Sequence, residues 1–270
     1  MKSPLKSSKL YRTNNKGVAF LQYFFETSDT ITQGVGWKHF DVLHISELIF
    51  TLLAVIGFSF LYKKLGVNGR KTMRILLAAF IIFDELVKIA ITGFWGDYFP
   101  DYLPLHLCSI NIILITIHIF KPSRMLDNFL YSFCIPAAAL ALLTPTWTKL
   151  PFLNIMHLHS VSVHIALLLY PVMLTAAGDI RPDYRQIWKA LVLLAFLALP
   201  ISIFNHFFDT NFMFLNRLQK GTPLVWFDET FGSYLFGFPI LLAAILFIMY
   251  IPWVIYGKVK AKAIDKKGVL

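Results

Sequence analysis

Leu103-Pro104-Leu105-His106-Leu107-Cys108 opens an apolar run that continues to Phe120, directly after an acidic and aromatic loop without Lys or Arg. Crossing a bilayer takes about 20 predominantly apolar residues, and this run approaches that length. A thiol and an imidazole therefore stand at the edge of a membrane-spanning segment. Ionisable groups are costly in lipid, and a cluster of them marks a site. Only one other cysteine exists, Cys134.

Apolar runs of similar length recur on both sides of this one. Of the 270 residues 57% are hydrophobic and 15% charged, where a soluble domain carries about 25% charged residues. The pattern predicts an all-α polytopic membrane protein, a bundle of seven transmembrane helices. The spans run over Val42–Tyr62, Met73–Phe94, Leu103–Phe120, Met125–Leu143, Ile155–Ala176, Ile187–Phe208 and Tyr234–Tyr256. Residues 1–41 form a basic and aromatic N-terminal segment that lies partly in the interface, 42–256 the transmembrane domain, and 257–270 a basic cytoplasmic tail. The N-terminus lacks the apolar core of a cleavable signal. Two cysteines make no disulfide framework, although a Cys108–Cys134 bridge remains open.

The net charge of +10 does not point to nucleic acid, because no basic patch with interleaved aromatics forms a separate domain. Lys and Arg instead flank the apolar runs, where they report topology and contact with anionic lipid. Lys63, Lys64, Arg70 and Lys71 follow the first span, Lys121 and Arg124 the third, Arg181 and Arg185 the fifth. The tail adds Lys258 and Lys260. The positive-inside rule then places the C-terminus in the cytoplasm of a cell-membrane protein. The basic N-terminal residues argue the other way, and seven spans cannot satisfy both ends.

With that topology the buried polar groups fall in one half of the membrane. His44 and Glu47 enter in span one; Asp84, Glu85 and Lys88 leave in span two. His106, Cys108 and Asn111 enter in span three, His157, His159 and His164 in span five, and Asn205 leaves in span six, followed by Asn211. At 1.5 Å per residue Cys108 lies roughly 8 Å and His164 roughly 14 Å below their helix starts. The inner half holds less, with His118 expected to be a satisfied interface histidine. Convergence predicts a cavity open to the outer leaflet, with His44, Glu85, His106, Asn111, Asn205 and Asn211 binding or orienting a substrate. Glu85 and Lys88, three residues apart, are equally suited to a structural ion pair.

Two chemistries compete. His157 and His164 share a helix face but stand about 10 Å apart along the axis, so one metal does not bridge them. A zinc site would need His44, Glu85 and one span-five histidine to converge, which stays open; the covalent reading, which is preferred, expects no metal or cofactor. Covalent catalysis fits better: a thiolate near a helix N-terminus gains from the free N–H groups. A histidine from span five can serve as base and then as acid. Cys108 as a small packing residue, and Ser160 as a rival nucleophile, both stay open.

The stretch Leu103-Pro104-Leu105-His106-Leu107-Cys108-Ser109 resembles the signature of YwaF-like bacterial membrane proteins, which are similar to the transmembrane protein 164 family. Phe40-Asp41-Val42-Leu43-His44, Ser162-Val163-His164, and Phe204-Asn205 followed by Thr210-Asn211-Phe212 agree in order and spacing. The chain departs where the family pattern carries an aromatic for His206 and a tyrosine for Phe212. The resemblance implies a phospholipid acyltransferase with a cysteine acyl intermediate. Cys108 is then the acyl acceptor and His164 its base, and membrane lipids are acyl donor and acceptor. The alternatives are a lipid hydrolase, with water as acceptor, and a non-enzymatic carrier or binding protein that uses the same cavity.

Overall fold

The structure, a computed structural model, describes residues 22–267 except 33, 220, 221 and 223, with side chains described as far as Gly257. The basic leader lies outside the described residues, and of the basic tail only the backbone is described, as the end of α8 up to Lys267. Among the described residues the chain is all-helical: α1 (Val42–Lys64), α2 (Val67–Trp95), α3 (Leu107–Phe120), α4 (Arg124–Leu143), α5 (Ile155–Ala177), α6 (Ile187–Phe208), α7 (Leu224–Phe231) and α8 (Gly237–Lys267). Five of these are long and apolar enough to cross a membrane: α1, α4, α5, α6 with its lead-in turn, and the apolar part of α8. α2 has the length, but Asp84, Glu85, Lys88 and the basic residues near its start interrupt its apolar run. α3, at 14 residues, covers only about 21 Å.

Successive connections alternate between two ends. At one end Thr27 meets Asp97 of the α2–α3 loop, Asn154 of the α4–α5 loop bonds Tyr23 and Glu26, and His106 touches Phe212 beyond α6. At the other, Arg70 of the α1–α2 region pairs with Asp179 after α5, and Asn128 at the start of α4 accepts from the Asp183 N–H. α4 and α5 form the centre, burying 56% and 50% of their most apolar windows, against 17% for α1, 11% for α6 and 6% for α8. The outer helices give their large apolar side chains to lipid, so burial from water does not hold the bundle together. Packing and interhelical hydrogen bonds do.

Local chemistry sets several joints. Asp41 caps α1 through the His44 N–H at 2.9 Å, a bond that holds its carboxyl below the usual value. Pro136 has no N–H to continue the ladder, and α4 widens just before it into a π turn, Leu130–Cys134, closed by Ile135 N–H to the Leu130 carbonyl. Pro171 inside α5 likewise frees the Leu167 carbonyl. The Cys134 thiol, fully buried, donates to that carbonyl at 3.3 Å, which welds α4 to α5.

Three expectations change. The third helix begins at Leu107, not Leu103, because Pro104 disfavours helical backbone at the residue before it. Its lead-in is a tight turn, with Leu105 N–H on the Leu103 carbonyl at 2.8 Å. The described part of the N-terminal aromatic segment does more than lie in an interface. It is stitched over the loops by Trp37 N–H to the Thr148 carbonyl at 2.9 Å, Ile155 N–H to Phe24, and Trp95 Nε1 to the Phe25 carbonyl.

The end expected to be poor in polar groups also carries a buried network. His118 bonds Tyr170 at 2.9 Å and Asp127 at 2.8 Å, and Tyr62 bonds Asp179 at 2.6 Å. Sequence reading missed it because its members are tyrosines and carboxylates at or near helix ends, which look like anchors until a fold brings them together. His118 itself is satisfied at both nitrogens, as anticipated.

Candidate active site

Because α3 starts late, Cys108 is its second residue rather than part of a second turn. The first intrahelical bond runs from Ile110 N–H to the His106 carbonyl at 3.0 Å, so Leu107, Cys108 and Ser109 keep N–H groups without an acceptor in the helix. Cys108 is half-buried and its thiol free; Cys134 is also free, so no bridge joins them.

α5 delivers the partner. His164 Nε2 stands 3.0 Å from Cys108 Sγ, and Nδ1 stands 2.5 Å from the Ser160 carbonyl one turn earlier. A carbonyl only accepts, so Nδ1 carries a proton and donates it. Nε2 is left with its lone pair towards the thiol, which is the tautomer a general base needs. Trp147, in the α4–α5 loop, stacks on a face of the imidazole at 5.1 Å between centroids and 16° between planes. Ser160 Oγ donates to the Met156 carbonyl at 2.8 Å, and its own carbonyl clamps His164.

Asn111 follows Cys108 by three residues, on the same face of α3. Its side chain is 1% exposed, and its Oδ1 is buried without a partner. An amide left in this state costs about 1–3 kcal/mol, which is tolerated where function needs a donor or acceptor.

The remaining expected residues divide into supports and neighbours. Glu85 pairs with Lys88 at 2.5 Å, the structural role its spacing allowed. His159 lies 3.4 Å from Asp84 and 3.9 Å from Glu85. These are ion-pair distances without hydrogen-bond geometry, since His159 Nδ1 has no bonded partner. Asp84 accepts from Ser162 Oγ at 2.8 Å and lies within coulombic range of His164.

His44 uses both nitrogens on backbone, accepting from Phe40 N–H at 2.9 Å and donating to the Leu142 carbonyl at 2.8 Å. His157 bonds Glu47 at 2.6 Å, tying α5 to α1. Asn205 holds the turn after α6 through Thr210 Oγ1 and both backbone groups of Phe212. Asn211 fastens the next turn through Asn216 and Arg217. That turn presses Phe212 and Phe214 onto His106, whose Nδ1 accepts from Met213 N–H at 3.4 Å. His44, Asn205 and Asn211 are thus bonded to the protein itself, while His164 meets Cys108 and Asn111 keeps an unpartnered Oδ1. Among the described residues no three His, Cys, Asp or Glu side chains are placed to hold one metal ion.

Trp147 and Asp84 are the contributors that sequence reading passed over. Trp147 sits in the short loop Thr144-Pro145-Thr146-Trp147-Thr148, where an aromatic reads as an ordinary interface anchor. Asp84 precedes Glu85, which was the carboxylate named for orienting a substrate or pairing with Lys88.

Fold and pair together define a multi-pass membrane protein, embedded in lipid, with a thiol–imidazole pair at one end of its central helices. A model of the TMEM164 family matches residues 35–250; this is most of the chain, which belongs to that family. No curated protein and no solved structure matches it.

Proposed function

We propose that this protein transfers acyl groups between membrane lipids through a thioester on Cys108. The observation that carries the reading is the 3.0 Å contact of His164 Nε2 with Cys108 Sγ, in an imidazole whose other nitrogen donates to the Ser160 carbonyl. Nucleophile, base and an orienting third group are the parts of covalent acyl-transfer sites.

The steps follow from the geometry. The thiol proton moves to His164 Nε2 as Sγ attacks the ester carbonyl of a donor lipid. The carbonyl π pair becomes an oxyanion, for which the N–H groups at the start of α3 are donors without a helical acceptor; Asn111 could add only its Nδ2, since its unpaired Oδ1 is an acceptor. Collapse breaks the ester C–O bond, and His164 returns its proton to the departing alkoxide, leaving acyl-Cys108. A lipid hydroxyl or amine then attacks the thioester, gives its proton to His164, and the thiolate leaves to recover it. With water as the acceptor the same site is a lipase.

In this reading α2 and α3 cross the bilayer with the five longer apolar helices, making seven crossings. The chain lies in the cell membrane with its C-terminus in the cytoplasm, so the site opens to the outer leaflet. Support comes from the Lys and Arg residues concentrated after α1, α3 and α5 and in the tail. The decisive experiment incubates the purified full chain with labelled phospholipid and looks for hydroxylamine-sensitive label on Cys108. Label passed on to a second lipid marks a transferase and label released as free acid a hydrolase. A chain that never becomes labelled refutes both.

A further inference from the structure

We infer that Trp147 is a positioning residue for His164: its indole face aligns the imidazole with Cys108 and stabilises the ring once it has taken the thiol proton. The inference rests on reading Cys108 and His164 as nucleophile and base. The imidazole is held at three points, with Nδ1 on the Ser160 carbonyl, Nε2 at the thiol, and one face against the indole at 5.1 Å and 16°. Stacked this way, a neutral ring gains dispersion and an imidazolium gains the attraction of the indole quadrupole as well. The contact therefore favours the thiolate–imidazolium pair over the neutral one.

Trp147 is not held in place by its indole N–H, which is buried with no acceptor. The loop that carries it is braced from outside: Trp37 N–H donates to the Thr148 carbonyl at 2.9 Å. Gly36 passes so close that an added Cβ would stand 2.0 Å from the Thr148 oxygen. A backbone oxygen cannot yield as a flexible side chain does, so position 36 excludes any larger residue without moving the loop.

Other groups also act on the pair. His106, before α3, and Asp84, on α2, lie within coulombic range of His164, with Lys88 and His159 beyond them. Cys134 of α4 lies within range of Cys108, and Glu47 of α1 is taken by His157. Substituting Trp147 leaves all of these in place and isolates the indole.

The test needs no lipid substrate. The full chain in nanodiscs is alkylated with iodoacetamide across a range of pH, with the Cys108→Ser variant as the blank. Trp147→Leu is expected to move the rising limb to higher pH and slow alkylation near neutrality by about 3- to 30-fold. Trp147→Phe keeps an aromatic face and should retain most of the wild-type profile. Gly36→Ala, by displacing the loop, should shift it in the same direction as leucine. Should the leucine variant not fold, Trp147→Met fills the space without a π face and takes its place. A folded Leu or Met variant with the wild-type profile overturns the inference, as does a Phe variant as impaired as Leu. A wild-type chain that alkylates normally but never forms an acyl-enzyme refutes acyl transfer and leaves this test standing.

Discussion

Replacing His164 with Ala tests the proposed chemistry most directly. Nε2 is the basic atom at the thiol, 3.0 Å away, and removing it takes away both the acceptor of the thiol proton and the donor to the leaving alkoxide. A positioned general base contributes about 10²–10⁴-fold, so acylation of Cys108 should slow by that factor. His164 is 9% exposed and makes one further polar contact, to a carbonyl of its own helix, so the variant should stay folded. The assay is single-turnover labelling of the purified chain in nanodiscs by a phospholipid with a tagged acyl chain. Label is resolved with and without hydroxylamine, beside a melting curve. Cys108→Ser should remove the hydroxylamine-sensitive label, a hydroxyl being a much weaker nucleophile than a thiolate. His118→Ala, in the network at the other end, should acylate normally. Wild-type labelling rates in a folded His164→Ala chain refute the base assignment. Full lipid transfer by Cys108→Ser makes the cysteine structural.

Three further outcomes are expected. Asn111→Leu should raise stability by about 1–3 kcal/mol, because it removes a buried amide without a partner. It should also lower acyl-enzyme formation by about 10²–10³-fold if the amide faces the oxyanion; unchanged acylation removes Asn111 from the site. Cys134→Ala should cost about 1 kcal/mol, measured by thermal melting, for the lost bond to the Leu167 carbonyl, while iodoacetamide still modifies Cys108 at the wild-type rate. A melting point restored by Cys134→Ser would support this, and a neutral Cys134→Ala would refute it. A reporter fused after Gly268 should lie in the cytoplasm, and single cysteines in the 97–102 loop should react with impermeant thiol reagents from outside. The reverse pattern would turn the site to the inner leaflet.

How much of this was legible beforehand differs from residue to residue. The residues alone offered a histidine of span five as a base and left Cys108 open as a small packing residue; it was the family resemblance that implied the Cys108–His164 pair. That Asn111 shares the Cys108 face of α3 followed from helical spacing alone. His44, Asn205 and Asn211 were read as facing a substrate because a polar residue near a membrane cavity looks the same whether its partner is a ligand or a carbonyl. Their partners lie on Leu142, Phe212 and Arg217, and no pattern in the chain announces such backbone contacts. Cys134 was ambiguous for a related reason: its acceptor exists only because Pro171, on another helix, releases the Leu167 carbonyl.

The sequence by itself determined that this is a helical membrane protein and which end of its helices gathers His, Cys and carboxylate. Apolar length and the cost of charge in lipid act on each segment independently of the others. It also determined family membership, through short stretches whose order needs no geometry. Only the tertiary structure decided that Trp147 lies on His164 and that a tyrosine and carboxylate network closes the opposite end. Each of those depends on where a different helix or loop comes to rest. In lipid that is set by directional hydrogen bonds and close packing between segments, which a one-dimensional pattern does not encode.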